Sequence, residues 1–160
     1  MAQFQLGSIS TGTLKTQDLL PYFLETLTAR GGKIPSDLEC GKYIEYINWP
    51  APGTTACDYD DKFWDSDEAH WDMEALTDAL NELCPPFVYF GTHPGDGADF
   101  GFWVDFDAVD ESCARKHHRC THNPDTGEIV LEDESVIVQV SDHGNVTVMD
   151  MERNVIWSVT

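Results

Sequence analysis

Residues 84–106 run Cys84-Pro-Pro-Phe-Val-Tyr-Phe-Gly-Thr-His-Pro-Gly-Asp-Gly-Ala-Asp-Phe-Gly-Phe-Trp-Val-Asp-Phe106. Phe87 to Gly91 and Phe100 to Phe106 are aromatic and β-branched, the composition of a half-buried pleated surface, so the stretch reads as a β-hairpin. Thr92 to Asp99, rich in Gly, Pro and Asp, reads as the connection. Tight hairpins turn within about two to five residues, whereas this connection spends eight. It carries His93, Asp96 and Asp99, which makes it a candidate functional loop on a rigid support.

Working outward toward the C-terminus, Asp107 to Cys113 reads as a helical turn and Ala114 to Asp125 as a polar connection. Glu128 to Leu131, Ser135 to Val140, Asn145 to Met149 and Asn154 to Val159 are then short runs containing Val, Ile and Trp. The last three are separated by Asp142-His143-Gly144 and Met151-Glu152-Arg153, the spacing of a meander. Val136, Val138 and Val140 share one face, and Asp142 to Asn145 reads as a hairpin turn with Gly144 or Asn145 at positive φ.

Toward the N-terminus the pattern becomes helical. Residues 2–14 suggest a short first strand and a turn. Thr16 then reads as a helix N-cap, and Leu19, Leu20, Phe23, Leu24 and Leu27 fall on one stripe ended by Gly31-Gly32. Pro21 predicts a short leading turn, with the main helix starting near Leu20. Pro35 to Tyr46 can form a second helix on Leu38, Tyr43, Ile44 and Ile47, weakened by Gly41, and Trp49 to Thr55 is a loop. The clearest helix follows: Asp65 or Ser66 caps it, Glu68 is placed to complete a capping box, and Met73, Leu76, Leu80 and Leu83 make its buried face.

At 160 residues with 41 % hydrophobic content the chain fits one packed domain, residues 1–160. The start of the chain has no basic region followed by an apolar one, and nowhere do eighteen apolar residues run together. Five Cys at irregular spacing suit reduced thiols better than a disulfide framework. Together these predict a cytoplasmic protein. The dominant feature is charge, 29 Asp and Glu against 9 Lys and Arg, for a net −20. Such an excess strains the compact state by self-repulsion and argues against direct nucleic-acid binding, because phosphates would be repelled.

The charge is densest between Asp58 and Glu82. Asp58, Asp60, Asp61, Asp65, Asp67, Glu68, Asp72, Glu74, Asp78 and Glu82 stand there against a single Lys62. On the helix, Glu68 and Asp72, with Glu74, Asp78 and Glu82, read as an exposed row opposite the Leu stripe, and a merely soluble helix would interleave lysines. The functional reading is a surface that imitates the phosphate row of a nucleic acid and is aimed at a basic protein. The plainer reading is the solvated face of an acidic or halophilic protein.

Two other groupings carry possible chemistry. Cys113, His117 or His118, Cys120 and His122 could supply four zinc ligands, although structural sites usually draw two pairs from separated segments and Arg115, Lys116 and Arg119 lie inside this cluster. That basic island, a third of the positive charge, can instead offset the acidic surface or form a self-association contact giving a homodimer. The loop of His93, Asp96 and Asp99 could hold an oxygen-ligated cation or acid–base groups, yet Gly, Pro and Asp are also what any tight loop needs. No nucleophile elbow, phosphate loop or HExxH is present.

Phe-Gly-Thr-His-Pro-Gly-Asp-Gly-Ala-Asp-Phe-Gly-Phe-Trp at 90–103, Gly-Thr-Leu-Lys-Thr-Gln-Asp-Leu-Leu at 12–20 and Val-Ser-Asp-His-Gly-Asn-Val-Thr-Val at 140–148 carry a resemblance. The chain resembles small acidic proteins of phages and other mobile elements. The resemblance implies such an origin and no catalytic residue. By analogy it points to DNA-imitating inhibitors of restriction and CRISPR systems.

The expectation is therefore an α+β chain: an antiparallel meander of five to six strands from Phe87 to the C-terminus, with two to three N-terminal helices on one face. Its expected role is to block a basic host protein that normally binds DNA or RNA. It would use the carboxylates from Asp58 to Glu82 with support from Asp96, Asp99, Asp105 and Asp107, and no enzymatic activity, cofactor or membrane. The alternatives are a metal-binding or hydrolytic protein using the 113–122 cluster or the 93–99 loop, and an acidic structural protein.

Overall fold

The computed structural model describes residues 3–36, 38, 64–114, 120–141 and 143–159. The expected Pro35 to Tyr46 helix, the Trp49 to Thr55 loop, Asp58, Asp60, Asp61, Arg115 to Arg119 and Asp142 lie wholly or mostly outside these residues. The architecture is α+β. Among the described residues there are three helices and two antiparallel sheets, of three and five strands. The chain divides into two compact units, one of Met1–Gly7, Pro85–Tyr89 and Trp103–Thr160, the other of Ser8–Cys84 and Phe90–Phe102.

In the second unit, β1 (Gly7–Thr11) leads to α1 (Thr16–Ala29). The five residues of the sequence stripe, Leu19, Leu20, Phe23, Leu24 and Leu27, are all buried. Pro21 does not break the helix, contrary to expectation, and α1 runs unbroken from Thr16. The hydrogen bond that Pro21 cannot donate would go to Gln17, in the exposed first turn where water can satisfy the carbonyl, while burial of Leu19 and Leu20 holds that turn. The N-cap position is Lys15, not Thr16, and it has no side-chain cap. Thr13 serves nearby, its hydroxyl accepting from the Lys15 N–H and donating to Asp18 at 2.7 Å. Gly31, at φ +73, turns the chain out of α1: the Gly32 N–H donates to Leu27 O and the Gly31 N–H to Thr28 O, the two bonds of a Schellman end.

The helix α2 (Asp67–Asn81) packs against α1, and its end fixes the hairpin of β2 (Val88–His93) and β3 (Asp96–Val104). The Asn81 amide donates to Phe90 O at 3.0 Å, and its oxygen accepts from the Phe90 N–H at 2.9 Å. One side chain thus pairs with β2 as a neighbouring strand would, on the edge that the order β1-β3-β2 leaves open. Phe23 of α1 meets Phe90 edge-to-face at 4.9 Å and Phe100 at 5.3 Å, and Phe90 meets Phe102 at 5.1 Å, an aromatic core between helix and strands.

The hairpin corrects the expected eight-residue loop. β2 continues to His93 and β3 begins at Asp96, so the connection is Pro94-Gly95 alone. The extra strand length comes from a partner distant in sequence: β1 lies against β3, with the Gly12 N–H donating to Ala98 O. Extended backbone with small polar side chains is stable there because the ladder, not apolar burial, holds it.

The first unit contains α3 (Phe106–Ala114) and a meander of β4 (Cys120–Asn123), β5 (Glu128–Leu131), β6 (Val136–Val140), β7 (Val146–Asp150) and β8 (Val155–Val159), in that spatial order. Its core is Val104, Val109, Leu131, Val136, Val138, Val146, Val148 and Trp157, and the Trp157 indole N–H donates to Pro86 O at 2.8 Å. Gly144, at φ +80, closes the β6–β7 turn as expected. In the β7–β8 turn the left-handed position is taken by Arg153, φ +68, for a reason given below. The hairpin and the meander belong to separate sheets, where a continuous one was expected. β1 occupies the free side of β3, Asn81 that of β2 at Phe90, and the Phe4 N–H donates to Ile156 O beside β8. Within the meander's own unit, α3 supplies Val109 to the core.

Candidate functional site

The acidic helix is built from its cap upward. The Ser66 hydroxyl accepts from the Ala69 N–H at 3.3 Å, so Ser66 is the N-cap, and Glu68 stands one position short of a capping box. Counting from that cap, Ala69, Asp72, Leu76 and Leu80 recur at three- and four-residue spacing and are buried, while Met73 and Leu83 are only half-buried. Asp72 is thus on the inward stripe and 3 % exposed, which corrects its place in the expected exposed row. The signal that could have placed it is Ala69, three residues before Asp72 and seven before Leu76.

On the opposite side, Asp67, Trp71, Glu74, Asp78 and Glu82 follow at spacings of 4, 3, 4 and 4 residues, all exposed, with Glu68 on the flank. Glu82 has helical backbone, φ −61 and ψ −22, so it extends the same stripe. At 1.5 Å of rise per residue the last three carboxylates lie about 6 Å apart along the axis; each strand of duplex DNA carries a phosphate about every 3.4 Å. Among the described residues no ion pair or side-chain hydrogen bond reaches the carboxylates of Asp65, Asp67, Glu68, Glu74, Asp78 or Glu82. The last turn of α2 has no basic residue. Asp78 and Glu82 stand where the helix dipole disfavours negative charge, and Glu74–Asp78 and Asp78–Glu82 are like-charge pairs one turn apart.

The remaining sequence candidates take structural positions. His93 Nδ1 accepts from the Gly95 N–H at 3.0 Å, Asp96 Oδ1 from the Ala98 N–H at 2.9 Å, and Asp99 Oδ2 from the Ser8 hydroxyl at 3.0 Å. The first two are the local bonds that a tight polar hairpin needs, and the third ties β3 to β1. In the other unit, Asp105 is exposed and caps α3 by accepting from the Ala108 N–H, and exposed Asp107 follows in the first turn. Cys113 packs against the apolar core and His122 is exposed on β4, while His117 and His118 lie outside the described residues. Among the described residues no group of three or more His, Cys, Asp and Glu could hold a metal ion.

Sequence reasoning missed several residues. Glu128, nearly buried, takes a forked pair of hydrogen bonds from Arg153 at 2.6 and 3.0 Å and a third from Thr126. The Arg153 guanidinium, helped by the Thr126 hydroxyl, holds the Glu128 carboxyl below its usual range despite burial. This pairing explains why an arginine stands where a hairpin turn favours glycine. A polar, open groove of about 450 Å³ lies between the starts of α1 and α2, lined by Leu14, Lys15, Gln17, Trp64, Asp65 and His70, with charges of both signs. Trp71 is 62 % exposed within the acidic stripe, where an aromatic residue at helical spacing would ordinarily read as core.

No described helix is long and apolar enough to cross a membrane. Comparison of the chain with protein-family models, with curated proteins and with solved structures returned no match.

Proposed function

We propose that the chain binds and inhibits a basic, nucleic-acid-handling protein, presenting the carboxylates of α2 where that protein expects phosphates. One observation carries this reading: the stripe of Asp67, Glu74, Asp78 and Glu82 is exposed and, among the described residues, without ion pairs, and Asp78 and Glu82 stand where their charge weakens their own helix. A face that costs stability and shields nothing is suited to steering a partner of opposite charge. The mobile-element resemblance agrees with a target in a host cell, such as a restriction enzyme or a CRISPR effector.

The test is capture of host proteins on the tagged chain, beside a variant with Asp67, Glu68, Glu74, Asp78 and Glu82 changed to Asn or Gln. Asp72 is kept, since a buried position would confound folding with binding. The expected result is a nucleic-acid-binding protein held by the native chain alone, released by high salt and displaced by duplex DNA. Equal capture by both chains, or capture that duplex DNA does not displace, overturns the proposal.

A further inference from the structure

The stripe of α2 contains one residue that phosphate imitation does not require. Trp71 stands one turn after Asp67 and between it and Glu74, on the same line as Asp78, and is 62 % exposed. Among the described residues no hydrogen bond or ring contact engages its indole. A face meant only to be solvated gains nothing from an indole there, since exposed apolar area is unfavourable in water.

We propose that Trp71 is the anchor of this face and receives an arginine side chain of the protein partner. This rests on the reading of α2 as the surface that meets a basic protein. The guanidinium lies flat over the indole, and its N–H groups reach the carboxylates of Asp67, Glu74 or Asp78 on either side. Arginine fits this combination better than lysine, because a planar, weakly hydrated cation can stack on a ring and donate in its plane at once, whereas an ammonium is a compact, strongly hydrated point charge. Tryptophan and arginine are also the residue types on which binding energy most often concentrates, at the centre of a contact ringed by weaker ones. The net charge of −20 selects a cationic occupant over a second copy of this chain, which would bring the same charge to the same face.

The experiment measures binding of two fluorescent nonapeptides, one of arginine and one of lysine, by anisotropy at low salt. Four chains are compared: native, Trp71→Ala, Trp71→Phe, and the charge variant Asp67→Asn/Glu74→Gln/Asp78→Asn. The native chain is expected to prefer the arginine peptide several-fold. Trp71→Ala should weaken it by about 5- to 30-fold while changing the lysine peptide little, Trp71→Phe should restore part of the loss, and the charge variant should weaken both peptides. Equal affinity for the two peptides, unchanged by Trp71→Ala but reduced in the charge variant, overturns the anchor and leaves the acidic face standing. No binding by the native chain, or binding indifferent to the charge variant, overturns both. A native dimer in sedimentation that Trp71→Ala dissolves assigns the face to a second copy and overturns the arginine assignment.

Discussion

Cys84 is half-buried just past α2, with its thiol donating to Leu80 O at 3.5 Å and Arg30 nearby, the latter lying 3.9 Å over the Phe102 ring. Three influences act on the thiol, one against the other two. Burial raises its pKa, Arg30 and the Phe90 backbone lower it, and burial prevails, pushing it up to about 11 from an ordinary value near 9.0. The thiolate is scarce at neutral pH, so this cysteine is a packing residue and no nucleophile, despite its cationic neighbour. Because the folded pKa is the higher one, the folded state holds its proton more tightly than the unfolded chain does. The resulting stability is complete below about pH 9 and is lost as pH rises through about 11. Melting temperature should therefore fall more steeply between pH 9 and 11 in the native chain than in Cys84→Ala, which lacks the titrating group. Parallel curves would mean that the thiol ionises as freely folded as unfolded.

At the scale of the element, α2 keeps charges that work against it. Changing Asp78 to Asn and Glu82 to Gln removes two negative charges from the wrong end of the helix dipole and two like-charge contacts, worth together about 1 kcal/mol. In a protein of this size that raises the melting temperature by about 2–4 °C. A fall would show that these carboxylates have stabilising partners, and the face could not then be spare for binding. The same helix shows what a sequence can disclose. Its cap region, its length and the inward Leu76 and Leu80 were legible, because a cap and a 3.6-residue period are local signals. The inward turn of Asp72 was not, since a carboxylate is assigned to solvent by type unless its neighbours in space are known. The meander was equally legible, strand by strand from Glu128 onward, whereas β4 was read as a polar connection. Cys-Thr-His-Asn has no apolar alternation, and β4 is held by its ladder to β5, a pairing written in Glu128–Leu131 and not in itself. Asp96 to Asp99 failed in the same way, because the strand that straightens them is β1, some ninety residues earlier.

At the scale of the whole molecule, 29 acidic residues against 9 basic ones make self-repulsion a property of the entire chain and not of one face. The ion pair of Glu128 with Arg153, well buried on its acidic side, ties the start of β5 to the β7–β8 turn and does little to the net charge. Repulsion of this kind has a range set by salt, about 30 Å at 0.01 M, about 10 Å at 0.1 M and about 3 Å at 1 M. Between the first two conditions, contributions from charges across the molecule vanish, and beyond the second only near neighbours along α2 still feel one another. The melting temperature in sodium chloride should therefore rise mostly below about 0.2 M and then flatten. The variant neutralised at Asp67, Glu68, Glu74, Asp78 and Glu82 should show a similar but shallower curve, because most of the charge remains. Capture of a basic partner should weaken over the same range in which the free chain grows more stable, since one field drives both. A melting temperature that keeps climbing into molar salt would mark a protein adapted to brine, whose acidic surface serves hydration and not a partner. An opposite slope, with stability falling as salt is added, would mean that attractive pairs dominate, and the acidic face would lose its claim to be free.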